Sequence, residues 1–335
     1  MPQELKNRLT EMELDIVWCH WNRLGAMGYG RKNQCSTDPE ALLLLTAMVG
    51  SEDLRLVEIM KEWLERYESL VSIERLKRYI KELRVGDVGR GDVFCSLQEV
   101  VSKLGIKRWE SVVRLLKNDG VIIFSMGRKR DLQKKLESHD KIIQNNLQLF
   151  LRLMFGVGTR ADIIYYATIV FDQEKNPFNL LISAPNISSS LHYNNSSIHR
   201  TLCDLEQAGV LLEDTRKKVG KNKIYISKTD FGSKMVSRDK CYVDWFGIVK
   251  LFILIEQLKE QIRDIRDESI IKSRLNDFLR AGSELINRSY IDIKNTLSEQ
   301  AFRPALKRIG LNELESSVVS LLSGTHEFIT GKAWS

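Results

Sequence analysis

Most of this chain alternates apolar and polar positions with the period of an α-helix, and one short stretch switches to the period of a strand. Apolar residues recur three and four apart through Ala41–Val49, Ile73–Leu83, Asp140–Phe155, Trp245–Ile262 and Glu268–Ile286. That spacing lines one helical face with apolar side chains. Ile224 and Ile226 instead alternate with Tyr225 and Ser227, which sends them to one side of a strand. The pattern predicts a mainly α, multi-helix protein with a small β element near its middle.

Local signals place the helix ends. Asp38-Pro39-Glu40 supplies a cap, a proline and an acid to the first turn of the helix that Gly50 ends. Ser51 is the expected cap of Glu52–Tyr67, and Ser72 that of Ile73–Leu83. Ser96–Ile123 is a candidate second helix-turn-helix, with Leu104-Gly105-Ile106 as its turn. The following Ser125-Met126-Gly127-Arg128-Lys129-Arg130 reads as a truncated basic wing or a linker. The more polar segment from Tyr290 to Phe328 is expected to end in a frayed tail.

The central stretch is the most specific. Gly158-Thr159-Arg160-Ala161-Asp162 opens a helix, with Thr159 and Asp162 as a short relative of the capping box, and Ile163, Ile164, Ala167, Val170 and Phe171 supply its apolar face. A second helix fits Asn186–Tyr193, capped by Asn186, with Asn194-Asn195 as the turn. A third, Ser196–Ala208, turns Ile198, Leu202 and Leu205 inward and ends at Gly209. Val210-Leu211-Leu212 then starts one strand and Ile224–Ile226 makes another. Between them runs Arg216–Lys223, a loop in which five of eight residues are basic.

This order resembles the winged helix-turn-helix superfamily, of which the MarR-like transcriptional regulators are members. The resemblance covers about 70 of the 335 residues, approximately 158–228, and rests on Ile187, Tyr193, Ile198, Leu202, Leu205, Gly209, Val210 and the Lys217–Lys223 wing. Ser188 stands where the family usually has a small alanine, and His192 where it usually has glycine. The resemblance implies a DNA-reading unit whose third helix enters the major groove while the wing meets the backbone. Asn195, Ser196, His199 and Arg200 become the candidates for base contact, Arg200 for guanine and Asn195 for adenine. Ser197, Arg216, Lys217, Lys218, Lys221 and Lys223 become the candidates for backbone contact, which gives affinity without sequence information.

Length and charge fit this reading. The chain has room for a helical domain over 1–140, a winged unit over 141–235 and a helical domain over 236–335, whose helices either form the dimer interface that the resemblance implies or bury one another. Fifty-one basic against forty-four acidic side chains leave a net charge of +7, which suits a polyanionic partner. The five cysteines are odd in number and lack any C-x-x-C pair, as expected of a reduced, cytoplasmic protein. The N-terminus is polar, without a signal-peptide pattern, and the most apolar run, Trp245–Ile255, falls well short of the roughly 20 residues that span a bilayer.

Catalytic and cofactor chemistry find no support. The histidines His20, His139, His192, His199 and His326 are scattered without metal-ligand spacing, so no metal, cofactor or catalytic residue is expected. Gly156-Val157-Gly158-Thr159-Arg160-Ala161 matches the letters of a dinucleotide fingerprint, but a helical pattern precedes it where that fingerprint needs a strand. The expectation is a non-enzymatic, homodimeric transcriptional regulator that binds double-stranded DNA, or an autoregulating member of a defence or toxin-antitoxin cassette, with a protein from the same operon as a candidate further partner. The alternative is an adaptor or scaffold subunit that uses the winged unit for protein contacts.

Overall fold

A computed structural model describes residues 2–27, 37–85, 94–116, 136–171, 183–219, 222–227, 243–263, 265, 267–289 and 311–330. Over these residues the chain is mainly helical. The body begins with α1 (Pro2–Arg23) and α2 (Pro39–Val49), continues through α3 (Leu54–Tyr67), α4 (Ile73–Val85), α5 (Cys95–Leu104) and α6 (Glu110–Leu116), and reaches α7 (His139–Asn145). Then come α8 (Leu147–Phe155), α9 (Thr159–Phe171), α10 (Ala184–Leu191) and α11 (Asn195–Gln207), followed by strands β1 (Leu211–Val219) and β2 (Asn222–Ser227). Helices α12 (Trp245–Gln261), α13 (Glu268–Ser289) and α14 (Leu311–Thr330) complete it.

Helix α2 is the hub. It is apolar on nearly every side, and a helix of that kind must be covered all round. Every one of its residues is buried, and it packs against α1, α3, α4, α5 and α12. Asp38 caps it as expected, accepting from the Ala41 amide at 3.0 Å. Thr46 is tolerated in its middle because its hydroxyl donates to the Leu42 carbonyl and receives Trp21 Nε1, both at 2.7 Å.

Helices distant in sequence close the same core. Leu251, Phe252 and Ile255 of α12 and Leu314, Val318 and Leu322 of α14 belong to one apolar cluster with Leu9, Met12 and Ile16 of α1. Polar ties fix the same packing, since Lys259 Nζ on α12 reaches Glu13 Oε2 at 2.6 Å and His326 Nε2 on α14 lies 2.6 Å from Asp15 Oδ2. Residues 311–330 form an ordered helix held by burial of one apolar face, and the expected frayed tail falls on residues 331–335, which lie outside the described residues.

A second, smaller apolar cluster joins α8 to α11 with the strands, through Leu147, Leu151, Ile163, Tyr166, Ile187, Tyr193, Ile198, Leu202, Leu205, Leu211 and Tyr225. Strands β1 and β2 pair antiparallel, with Leu211 opposite Ser227 and Val219 opposite Asn222, and the register shifts between Glu213 and Lys218. Helix α8 serves both clusters, because Leu149 faces the larger and Leu147 and Leu151 the smaller.

Several local expectations are corrected. The helix expected over Asp140–Phe155 is broken at Asn146, whose extended backbone lets its side chain cap α8 through the Leu149 amide. Asp53, not Ser51, caps α3 by accepting from the Arg55 amide. In the candidate second helix-turn-helix, Gly105 ends α5 in the left-handed region at φ 63°, and a 3-10 turn at Lys107–Trp109 leads into α6. Residues 117–130, which would hold its final strand and basic run, lie outside the described residues.

Candidate nucleic-acid interface

The unit over α9–α11 is built around two turns. Helix α10 starts earlier than expected, at Ala184 after Ser183, with Pro185 in its first turn, where its missing amide costs nothing. Asn186 thus lies inside the helix and is not its cap. His192 ends it with φ 55°, the left-handed conformation that a glycine would take at lower cost. Ser188 Oγ donates to the Tyr193 carbonyl at 2.9 Å, so the hydroxyl standing in the place of alanine closes the turn. Asn194 is the cap of α11, accepting from the Ser196 amide at 3.0 Å, and Asn195 is the first helical residue.

Helix α11 divides sharply between two faces. Ile198, Leu202 and Leu205 are buried, whereas Asn195, Ser196, His199 and Arg200 are exposed and Ser197 is half-buried. Gly209 stops the helix at φ 69°, and the Val210 amide bonds back to the Leu205 carbonyl at 2.9 Å. The exposed face also carries Cys203 and Asp204; Asp204 lies 3.6 Å from Arg160.

The basic residues fall in different places. Arg216, Lys217 and Lys218 lie on β1 and Lys223 on β2, while Lys221 lies outside the described residues. Lys223 is engaged within the chain, with Nζ 2.9 Å from Glu213 Oε2 and 3.5 Å from Glu206 Oε1.

Behind this surface lies a buried charged seam. Arg152 on α8 is fully buried and forks onto Asp162 of α9, with Nη2 to Oδ2 at 2.8 Å and Nε to Oδ1 at 2.9 Å. The same guanidinium donates to Glu40 of α2, Nη1 to Oε1 at 2.7 Å and Nη2 to Oε2 at 2.9 Å. Arg75 on α4 bonds Asp38, meets Glu40 Oε2 at 3.1 Å and donates from Nε to the Leu191 carbonyl at 2.7 Å. Two guanidinium groups therefore face three carboxylates, all buried, from both sides of the boundary between the two apolar clusters. Burial alone would push the Asp162 carboxyl up, but the charges of Arg152 and Arg75 and the hydrogen bonds from Arg152 and Gln148 together outweigh it and hold the group below the usual carboxylate range. Glu40 goes the other way: burial and the neighbouring Asp38 charge push it up to about 7 against the pull of Arg152.

The expected role of Asp162 in capping its own helix is corrected. Its carboxylate is fully committed to the seam, receiving the Tyr193 hydroxyl at 2.8 Å and Gln148 Nε2 at 3.0 Å as well as Arg152, while Thr159 Oγ1 pairs with Thr201 Oγ1 at 2.9 Å. Sequence reasoning missed Arg152 and Glu40. A signal existed: Gln148 and Arg152 sit four apart in the otherwise apolar run Leu147–Phe155, so one polar stripe must point inward somewhere.

Among the described residues, no group of three or more His, Cys, Asp or Glu is placed to hold a metal ion, and no helix is long and apolar enough to cross a membrane. The glycines that spell the dinucleotide fingerprint follow helix α8, not a strand. Comparison with known proteins finds no matching family model, no matching curated protein and no matching solved structure.

Proposed function

We propose that this chain is a sequence-specific double-stranded-DNA-binding transcriptional regulator. In this reading α9, α10, α11 and the β1–β2 pair form a winged helix-turn-helix resembling MarR-like proteins, and the chain acts in the cytoplasm as a homodimer that autoregulates a defence or toxin-antitoxin cassette. One observation carries it: α11 buries Ile198, Leu202 and Leu205 and presents Asn195, Ser196, His199 and Arg200 to solvent. Short polar side chains and an arginine on one face of a helix are what base edges in the major groove accept. The lysine-bearing strands that follow suit the sugar-phosphate backbone.

The test is selection of a bound sequence from a random duplex pool by the full chain, followed by footprinting on the DNA upstream of its own gene. Enrichment of a defined sequence whose binding Arg200→Ala weakens supports the reading. Failure to enrich any duplex at about 50 mM salt, where backbone contacts are strongest, overturns it.

The adaptor reading is favoured by a different observation. Leu153 and Met154, at the end of α8, are 52% and 63% exposed, an apolar pair of the kind that protein partners cover. A stable protein partner whose binding Leu153→Ser abolishes, with no duplex bound, would establish that reading instead.

A further inference from the structure

The turn between α10 and α11 is gripped from outside the helix-turn-helix. Its first carbonyl, that of Leu191, sits at the negative end of α10 and receives Arg75 Nε. A cation there satisfies a carbonyl that the helix leaves without a partner and opposes the helix dipole. The next residue, His192, lies with Nδ1 2.9 Å from Glu82 Oε2, its ring 5.1 Å edge-on from Tyr79 and 4.2 Å from Phe246 of α12. The third, Tyr193, places its hydroxyl 3.0 Å from Ser72 Oγ. Three consecutive residues of the turn are thus held one by one.

The holding residues come from one helical edge. Ser72 immediately precedes α4, and Arg75, Tyr79 and Glu82 follow at intervals of three, four and three residues, which aligns all four along one stripe. Apolar contacts alone would let two packed units slide against each other, whereas directional hydrogen bonds admit one orientation. Helix α11 begins two residues past this turn, so its direction is inherited from α4.

Building on the DNA-binding reading, we infer that α4 positions the recognition helix: the stripe Ser72, Arg75, Tyr79 and Glu82 sets the attitude of α11, and a displacement of α4 changes duplex affinity without altering any contact residue. Helix α4 packs on α2 and α6, so movements of the helical body reach the duplex-facing surface by this route. These four are positioning residues, since none of them lies on the exposed face of α11.

The experiment uses the full chain and the duplex it enriches from a random pool. Glu82→Gln and His192→Asn weaken the grip mildly, asparagine being chosen because it tolerates the left-handed turn. Glu74→Gln, on the exposed side of α4, is the control. The expected result is amide exchange about tenfold faster over residues 191–197, together with duplex affinity about tenfold weaker and an unchanged salt slope, because none of the candidate phosphate-contacting lysines is altered. The control should match the parent. Faster exchange with undiminished affinity would reduce the grip to simple packing and overturn the inference; unchanged exchange would show that there is no grip to release. Should no duplex be enriched at all, the DNA-binding reading fails and this inference with it, while the exchange data would still record whether α4 holds the turn.

Discussion

Arg152 and Asp162 face each other with neither side chain exposed, joined by two parallel hydrogen bonds of 2.8 and 2.9 Å. A planar guanidinium and a planar carboxylate fit in this way, which an ammonium cannot reproduce. The pair lies where the two apolar clusters meet, and the same arginine continues to Glu40 on the other side.

Removing that arginine should be severe. Arg152→Met leaves Asp162 and Glu40 buried without their main counter-charge, and breaking such a pair typically costs about 3–5 kcal/mol. Arg152→Lys should recover only a minor part, because it keeps the charge but loses the fork. Urea unfolding of the variants measures this, and a change below about 1 kcal/mol for Arg152→Met would contradict a seam in which this arginine is the central charge.

A second buried site makes stability depend on pH. Lys259 Nζ lies between Glu13 and Glu256, so two acids share one ammonium, and burial raises the Glu13 carboxyl from its ordinary 4.5 to about 8. A carboxyl whose pKa is higher folded than unfolded favours the folded state in its protonated form. Its contribution is therefore greatest at and below about pH 4.5 and is lost as pH rises through 8. Melting temperature measured between those limits should fall with rising pH, and Glu13→Gln, which fixes the neutral form, should reduce that slope to the share that Glu40, raised to about 7, contributes in the same direction.

Two glycines should respond to alanine for different reasons. Gly105 has φ +63° with nothing within 4 Å of an added methyl, so Gly105→Ala meets only backbone strain, about 1 kcal/mol. Gly50 has an ordinary helical backbone, but a methyl there would come within 2.5 Å of Val57 Cγ2 and 2.8 Å of the Thr46 carbonyl. Gly50→Ala should be the more damaging of the two in thermal unfolding, with the order reversed if strain outweighs crowding.

The basic residues of the strand pair should not be equivalent in duplex binding. Lys217→Ala or Lys218→Ala is expected to lower the salt slope by about one for each phosphate that is no longer neutralised. Lys223→Ala should do less, because its ammonium is already paired with Glu213 and Glu206. Arg200→Ala should relax sequence preference with little change in slope. Titrations by anisotropy at several salt concentrations separate the three behaviours.

The helices were legible where one face is apolar and the ends carry strong local chemistry. Asp38 before Pro39 and Gly209 after α11 both act as their residue types predict. The inward set Ile198, Leu202 and Leu205 could be read from spacing alone. The seam could not, because it is made of single residues from α2, α4, α8 and α9 that only the fold brings together. Glu40 looks like an acid at a helix start and Asp162 like part of a cap, since local pattern assigns short-range roles to polar residues. Tertiary burial reassigns both. His192 is visible as a departure from the expected glycine, but its role depends on Glu82, 110 positions away.

Helix α8 has no side left over for solvent along most of its length: Leu149 completes one core, and Leu147 and Leu151 complete the other. A fragment cut from the chain at its borders would tear Arg152 from Glu40 or strip the wall from whichever half lost the helix. Engineers wishing to transplant the exposed face of α11 would need to carry α2 and α4 along with it, treating sequence-distant segments as one inseparable part.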